Sequence, residues 1–186
     1  SHIEGDTCTC MQVAKLIADR NIVAIFQGRS EAGPRALGNR SILYDPRDPD
    51  GKDKVNRVKK RESFRPFAGS ILLPFAHEWF DMAGMDESPH MMYAVDSKED
   101  KREKIPAVLH VDNTCRIQTV TPTQNPNYYR LIDAFHQWTG VPIVFNTSFN
   151  LSGEPLVETP EDAIETFEDS AIDYLYFPEV QKLRGK

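Results

Sequence analysis

The stretch IVAIFQGRSEAGPRALGNRSIL, residues 22–43, organises the rest of the sequence. It begins with an apolar run, residues 22–26, of the kind that forms a buried strand. The segment that follows, residues 28–43, contains three arginines, one glutamate, three glycines and one proline. When such a loop follows a buried strand, its backbone amides and guanidinium groups can bind an anion. The pattern predicts a buried strand followed by part of a phosphate or nucleotide site.

The positive charge of this region stands out because the whole chain is acidic, with a net charge of −6. Residues 29–65 hold eleven of the 22 basic residues and only six acidic ones. The overall charge argues against a protein that coats nucleic acid or membranes. No apolar run approaches the roughly 18 residues that span a bilayer, and the first residues lack a signal-peptide pattern. With three cysteines that cannot all pair, we expect a reduced, cytoplasmic protein.

Apolar spacing predicts alternating helices and strands along the 186 residues. The first helix starts at a capping box formed by Thr9 and Gln12. The four expected helices cover residues 10–19, 52–60, 126–138 and 160–168, the second with its basic residues outward. The eight expected strands cover residues 22–27, 41–44, 69–73, 90–95, 107–111, 116–120, 141–145 and 172–177. The pair 107–111 and 116–120 suits a hairpin, and the alternation implies one domain with an α/β or mixed α+β sheet.

Two basic groups are candidate anion ligands. In the first loop these are Arg29, Arg35 and Arg40, although each arginine could also be a surface cation or an ion-pair partner of Glu31. The second group is Lys59 with Arg65. A lysine charge beside a planar guanidinium suits the binding of a phosphate or carboxylate on a small molecule. The alternative interpretation is that these residues form the solvated, charged end of a helix and bind nothing.

Polar residues near strand ends form two further groups. Arg116 follows a predicted turn, where a lone arginine is more often an ion-pair partner than a ligand. Asn146, Ser148 and Asn150 alternate after the apolar run 141–145, so they project to one side if the strand stays extended. Uncharged polar side chains there are costly unless paired, and open α/β sheets place ligands at the carboxyl ends of strands. No GxGxxG, Walker lysine loop, GxSxG elbow or metal-binding histidine pair is present, so basic side chains would have to bind the ligand.

Long motifs of this chain resemble the C-terminal region of the NodU/CmcH/TobZ carbamoyltransferases. In chain order they are GRSEAGPRALGNRSIL, VNRVKKRESFRPFAGSIL, IPAVLHVDNTCRIQTV and NTSFNLSGEPLVETPEDA. The resemblance extends from Ile22 to Leu175, and SFNLSGEP is similar to the serine–x–asparagine signature of YrdC proteins. It implies an α/β (mixed α+β) fold, with a YrdC-like twisted open sheet flanked by helices in a single domain.

The resemblance also implies an activity. Carbamoyl phosphate loses its phosphate, and ATP, carrying Mg²⁺, adenylates the carbamate. The carbamoyl adenylate then passes to an N-terminal domain of actin/hexokinase-like fold, which carbamoylates a hydroxylated metabolite. The resemblance implies no metal ligands in this chain. It implies catalytic roles for Lys59, Arg65 and Arg116, and substrate or nucleotide contacts for Arg29, Glu31, Arg35, Asn146, Ser148 and Asn150.

The expected domain organisation follows from the resemblance. Residues 1–21 are expected to be a helix and linker from a missing acceptor domain, and residues 22–186 the YrdC-like domain. Such a fragment would perform at most the adenylation half-reaction, and an exposed docking face could make it a homodimer. Two alternatives stay open. One is YrdC-type synthesis of threonylcarbamoyl adenylate from threonine and bicarbonate. The other is a non-catalytic RNA-binding module on residues 29–65, which the negative net charge and the lack of stacking aromatics disfavour.

Overall fold

The computed structural model of the protein describes residues 3–29, 36–61 and 67–186. Within these ranges ten strands form one sheet, in the order β1-β10-β9-β2-β3-β8-β4-β7-β6-β5. The strands are β1 (Asp6–Thr7), β2 (Val23–Phe26), β3 (Arg40–Tyr44), β4 (Ala68–Leu72), β5 (Phe80–Asp81), β6 (Ala94–Ser97), β7 (Thr114–Val120), β8 (Ile143–Ser148), β9 (Tyr174–Phe177) and β10 (Lys182–Gly185). Strand β2 is parallel to β9 and β4 is parallel to β7. All other neighbouring strands are antiparallel. This mixed sheet confirms the predicted mixed α+β class.

Three of the five described helices begin at a residue whose side chain caps the helix. The helices are α1 (Cys10–Ala18), α2 (Gly51–Lys59), α3 (Ala76–Trp79), α4 (Pro126–Thr139) and α5 (Pro160–Glu168). The capping box of Thr9 with Gln12 is present, and Thr159 with Asp162 forms a second one at α5. Gly140 ends α4 with a φ of 76°, a left-handed conformation that glycine adopts readily. No helix in the described part of the chain is long and apolar enough to cross a membrane.

Helix α1 packs against α4 and contributes to the same core as the sheet. Its residues Val13, Ala14 and Ile17 are fully buried, and the indole nitrogen of Trp138 on α4 donates to the carbonyl of Met11 (2.9 Å). Apolar residues buried on one helical stripe hold such a helix to its neighbour through the hydrophobic effect. Residues 10–18 are thus an integral part of the core, while the predicted boundary after residue 21 stays a prediction.

The predicted hairpin of residues 107–111 and 116–120 is wrong. Pro106–Val108 forms a 3₁₀ turn, and β7 pairs with β4 in parallel and with β6 in antiparallel orientation. Proline lacks an N–H group and fixes φ, which favours the start of such a turn over a strand. Ala107 and Val108 are buried, and a short buried apolar run has no period that separates a turn from a strand.

The edges of the sheet also differ from the prediction. The strand predicted at 90–95 lies at Ala94–Ser97, and β1, β5 and β10 were not predicted. The chain therefore closes with β10, which pairs with β9, instead of with the strand predicted at 172–177. Two of the missed strands have only two residues, too few for an alternating pattern to appear.

Helix α2 departs from its prediction at one position that matters for the site. Val55 and Val58 are buried as expected, but Lys59, predicted to point outward, is only 3% exposed. Lys60 follows with a φ of 57° and ends the helix in the left-handed conformation. The last turn of α2 thus directs a lysine into the protein.

Candidate functional site

The buried Lys59 ammonium group lies at the carboxyl end of β8. Its Nζ atom donates to the carbonyl oxygen and the hydroxyl of Ser148, both at 2.8 Å, and to Oδ1 of Asn150 at 3.1 Å. Thr147 Oγ1 lies 3.4 Å away. Hydrogen bonds from a charged donor are shorter and stronger than neutral ones, so these oxygens fix the position of the ammonium group. Residues 59, 148 and 150, far apart in the chain, therefore meet at one point.

The loop after β8 is shaped to hold this cluster. Ser148 Oγ donates to Asn150 Oδ1 (2.7 Å), and Asn150 Nδ2 donates to the carbonyl of Glu154 (2.8 Å). The backbone N–H of Ser152 donates to the carbonyl of Lys59 (2.8 Å), which ties the loop to the end of α2. The serine–x–asparagine pair thus organises its own loop as well as the lysine.

Arg116 and Asn146 lie on one row of the sheet, on the same face. Both residues pair in register with Ala68, which stands between them on β4. Residues directly opposite each other on neighbouring strands project to the same face, and Ser148 follows Asn146 at the two-residue period of that face. Arg116 is half-buried, and its Nη1 atom is shielded from water with no hydrogen-bond partner among the described residues.

Asn146 is almost completely buried, at 1% exposure. Its Nδ2 atom donates to the carbonyl of Ala36 and to the hydroxyl of Ser70, both at 3.0 Å. Its Oδ1 atom is buried and has no partner within the described ranges. A buried acceptor without a donor costs about 1–3 kcal/mol, which makes such an atom a candidate ligand contact.

The arginines at the two described ends of the first loop differ in burial. Arg29 is exposed, and its carbonyl accepts from Asn39 Nδ2 (3.1 Å). Arg40 is 3% exposed; its guanidinium group stacks 3.7 Å above the ring of Phe26 and donates to the backbone carbonyls of residues 27, 28, 39 and 158. Guanidinium groups that satisfy several carbonyls at once brace backbone, so Arg40 stabilises the loop ends.

Three predicted site residues lie outside the described residues: Glu31, Arg35 and Arg65. Of the other predicted residues, the structure brings together Lys59, Ser148 and Asn150, places Asn146 and Arg116 on the sheet face that also carries Ser148, and leaves Arg29 exposed. Their roles stay predictions.

Nearby groups limit the chemistry of the site. Burial raises the pKa of the Cys115 thiol, next to Arg116, to about 12, so this thiol stays protonated at neutral pH and is a poor nucleophile. The described residues include no group of three His, Cys, Asp or Glu side chains that could hold a metal ion. A cavity of about 240 Å³ opens beyond the loop, lined by Glu154 and by Asp162, Glu165 and Asp169. Its carboxylates disfavour the binding of phosphate in this cavity.

Sequence reasoning missed Ser70 and Gln118. Ser70 lies on β4 and Gln118 on β7, in direct register, on the same face of the sheet as Asn146. Ser70 is the single polar side chain of AGSIL, and Gln118 lies in the mixed strand TCRIQTV, directly after the buried Ile117. A polar side chain at such a position requires a buried partner, which is the signal that could have found them.

Comparison with known proteins finds a family that matches most of this chain. The carbamoyltransferase C-terminus family matches residues 14–182. Nodulation protein NolNO of Sinorhizobium fredii is 48% identical over 178 residues, which cover 94% of this chain and 26% of that protein. Nodulation protein NolO of Bradyrhizobium diazoefficiens is 48% identical over 164 residues, 87% of this chain and 30% of that protein. The chain therefore spans between a quarter and a third of the length of these relatives.

Solved structures share the fold at low sequence identity. Full-length HypF in the phosphate- and nucleotide-bound form has a TM-score of 0.59 and 18% identity, over 94% of this chain and 24% of that one. Sua5 of P. abyssi complexed with L-threonine has a TM-score of 0.59 and 13% identity, over 90% of this chain and 46% of that one. These likenesses confirm the predicted YrdC-like sheet.

Proposed function

This chain belongs to the carbamoyltransferase C-terminus family, and from that premise we propose that it activates carbamoyl phosphate with ATP. In the proposed reaction, water cleaves carbamoyl phosphate to carbamate and phosphate. A carbamate oxygen then attacks the α-phosphorus of ATP, carbamoyl adenylate forms, and pyrophosphate leaves. Mg²⁺ would enter with the nucleotide and neutralise part of the phosphate charge.

The observation that carries the proposal is the Lys59 ammonium group, held in place by Ser148 and Asn150. A cation that is already oriented stabilises charge on phosphate or carbamate oxygens without reorganising during the reaction. Ser148 and Asn150 position this cation, and the Ser148 hydroxyl is itself a donor that can turn to a ligand oxygen.

Arg116 supplies a second group that suits this chemistry. Its buried Nη1 atom lacks a hydrogen-bond partner among the described residues, and guanidinium groups match the geometry of carboxylate and phosphate oxygens. In the proposed site, Arg116 contacts anionic oxygens from one side of Ala68, and Asn146 approaches the ligand from the other side.

The transfer step belongs to the longer protein. Because the matched relatives are three to four times as long as this chain, we propose that a further, N-terminal domain of actin/hexokinase-like fold passes the carbamoyl group to a hydroxylated metabolite. The three cysteines, which are all free thiols, suit the reducing cytoplasm, where we place the reaction.

A pyrophosphate-release assay tests the proposal. The chain is incubated with ATP, Mg²⁺ and carbamoyl phosphate, and we expect pyrophosphate release that depends on carbamoyl phosphate. A parallel reaction contains threonine and bicarbonate in place of carbamoyl phosphate. Release in that reaction alone would identify threonylcarbamoyl adenylate synthesis instead. Release in neither, with no binding of carbamoyl phosphate by calorimetry, would refute the proposed activity of this domain.

A further inference from the structure

A chain of buried hydrogen bonds joins three neighbouring strands to the end of the first loop. Asn146 Nδ2 donates to the carbonyl of Ala36 and to Ser70 Oγ, both at 3.0 Å. Ser70 Oγ donates to Gln118 Oε1 (2.8 Å), and Gln118 Nε2 donates to the carbonyl of Leu37 (3.0 Å). Ser70 is completely buried and Gln118 is almost so, which makes every bond in the chain costly to lose.

The backbone carbonyls of Ala36 and Leu37 determine which group is the donor in each of these hydrogen bonds. A carbonyl only accepts, so the NH₂ group of Gln118 must face Leu37, and Gln118 Oε1 must face Ser70. The Ser70 hydroxyl must therefore donate to Gln118, and its oxygen is left to accept from Asn146. The carbonyl of Ala36 imposes the same orientation on Asn146 independently. A flipped Asn146 amide would place two acceptors against each other at both contacts.

This orientation leaves one atom over. With both contacts of Asn146 made by its nitrogen, the acceptor Oδ1 is the group that stays without a partner among the described residues. Because Oδ1 is shielded from water and no described residue donates to it, a donor that enters the site can satisfy it. An acceptor on the ligand would be repelled, and an apolar group would leave Oδ1 unsatisfied.

We propose that Ser70 and Gln118 are positioning residues that hold the Asn146 amide with its oxygen free, so that the site selects a ligand group that donates a hydrogen bond. This inference rests on the proposed function. In carbamoyl phosphate the donor is the NH₂ group. Acetyl phosphate has nearly the same shape and carries the same phosphate, but it presents a methyl group at that position. The hydrogen-bonded residues Asn146, Ser70 and Gln118, which we call the relay, thus select ligands with a carbamoyl group over ligands with an acyl group.

Calorimetric titration of the chain with carbamoyl phosphate and with acetyl phosphate tests the inference. For the wild type we expect carbamoyl phosphate to bind about tenfold more tightly, the ratio that corresponds to about 1.4 kcal/mol. Ser70→Ala removes the middle of the relay and Gln118→Met removes its far end. Each variant should lower the ratio to about threefold or less, mainly through weaker binding of carbamoyl phosphate. Ser97→Ala, which removes a buried hydroxyl on β6 that bonds the Asn113 carbonyl and takes no part in these hydrogen bonds, should leave the ratio unchanged.

The outcomes separate the two proposals. Equal binding of the two ligands by the wild type would overturn the inference and leave carbamoyl phosphate binding, and so the proposed function, intact. Failure of either ligand to bind would overturn both. A ratio that stays near tenfold in both variants, with both ligands weakened alike, would show that Ser70 and Gln118 only support the fold. If Ser70→Ala does not fold, Gln118→Met alone decides, because it leaves the Asn146–Ser70 pair in place.

Discussion

Replacing Lys59 with methionine separates the chemical role of this residue from a structural one. Methionine has nearly the same length and flexibility, fills the same buried space and removes only the charge and its hydrogen bonds. If Lys59 stabilises charge on the ligand, the substitution should abolish most of the activity and change the stability little. If it is a structural residue, the opposite should hold.

The structure supplies the magnitude for stability. The substitution removes the hydrogen bonds that a charged donor makes to Ser148 and Asn150, each worth about 1.5–3 kcal/mol. It also removes the desolvation penalty of a buried ammonium group, several kcal/mol, so the two effects largely cancel. The acceptors keep other donors, because the Ser148 carbonyl accepts from the Asn150 N–H (3.1 Å) and Asn150 Oδ1 from Ser148 Oγ (2.7 Å). We therefore expect the free energy of unfolding to fall by less than about 2 kcal/mol.

The loss of activity should be much larger. Removing one oriented donor from a charge-stabilising site typically costs about 2.7–4 kcal/mol, or 10²–10³-fold in rate. Pyrophosphate release by Lys59→Met should fall by this factor, and urea titration should show nearly unchanged stability. Lys54→Met is the matched control, since Lys54 lies on the same helix and donates to the Arg20 carbonyl (3.0 Å), outside the site. It should retain wild-type activity.

Two results would refute this reasoning. One is a Lys59→Met variant that keeps more than a tenth of the wild-type rate. The other is a loss of more than about 4 kcal/mol in unfolding free energy with an unchanged rate per folded molecule, which is the signature of a broken buried network.

Three further predictions concern stability, measured by urea titration. Gly38→Ala should lower the free energy of unfolding by more than about 2 kcal/mol, because φ is +98° and the new Cβ would lie 2.2 Å from the Tyr128 ring. Gly84→Ala, at φ +83° in open space, should lower it less. Equal losses in the two variants would contradict the steric argument. Arg40→Met should lower the free energy of unfolding by about 2–4 kcal/mol, because buried carbonyls lose their donor. Arg40→Lys should recover only part of this stability. An Arg40→Met variant as stable as the wild type would exclude the bracing role. The pKa of Cys115 is raised from its ordinary value of 9.0 to about 12 by burial, so the thiol ionises first in the unfolded chain. The free energy of unfolding should not depend on this thiol below pH 9. Towards pH 12 it should fall by up to about 1.4 kcal/mol per pH unit, and the fall should be shallower in Cys115→Ala. An identical slope in the variant would assign the fall to other groups.

Much of the fold could be predicted because the deciding signals are local. The capping boxes at Thr9 and Thr159 and the glycine after α4 marked helix ends within one turn. The central strands were visible as apolar runs. The false hairpin around residues 107–120 had the same kind of signal, and only the pairing of β7 with β4 and β6 contradicts it. Pairing between distant strands leaves no periodic trace in the sequence.

The candidate site divides in the same way. Lys59, Asn146, Ser148 and Asn150 were visible as residue types at the ends of predicted elements, and the family motifs select the same positions. Nothing local indicated that Lys59 turns inward, since the lysine ends a basic helix with a solvated face. Ser70 and Gln118 were overlooked because their partners lie on another strand or loop, which no local pattern shows.

By itself, the sequence determined four of the helices, the central strands and the family, since capping, periodicity and long motifs act over short stretches of chain. Only the tertiary structure decided which strands are neighbours, and with it which polar groups meet. The position of Lys59 against Ser148 and Asn150, and the free oxygen of Asn146, depend on contacts between residues tens of positions apart. Such contacts form because buried polar groups require partners, and the packed sheet alone determines which partners are within reach.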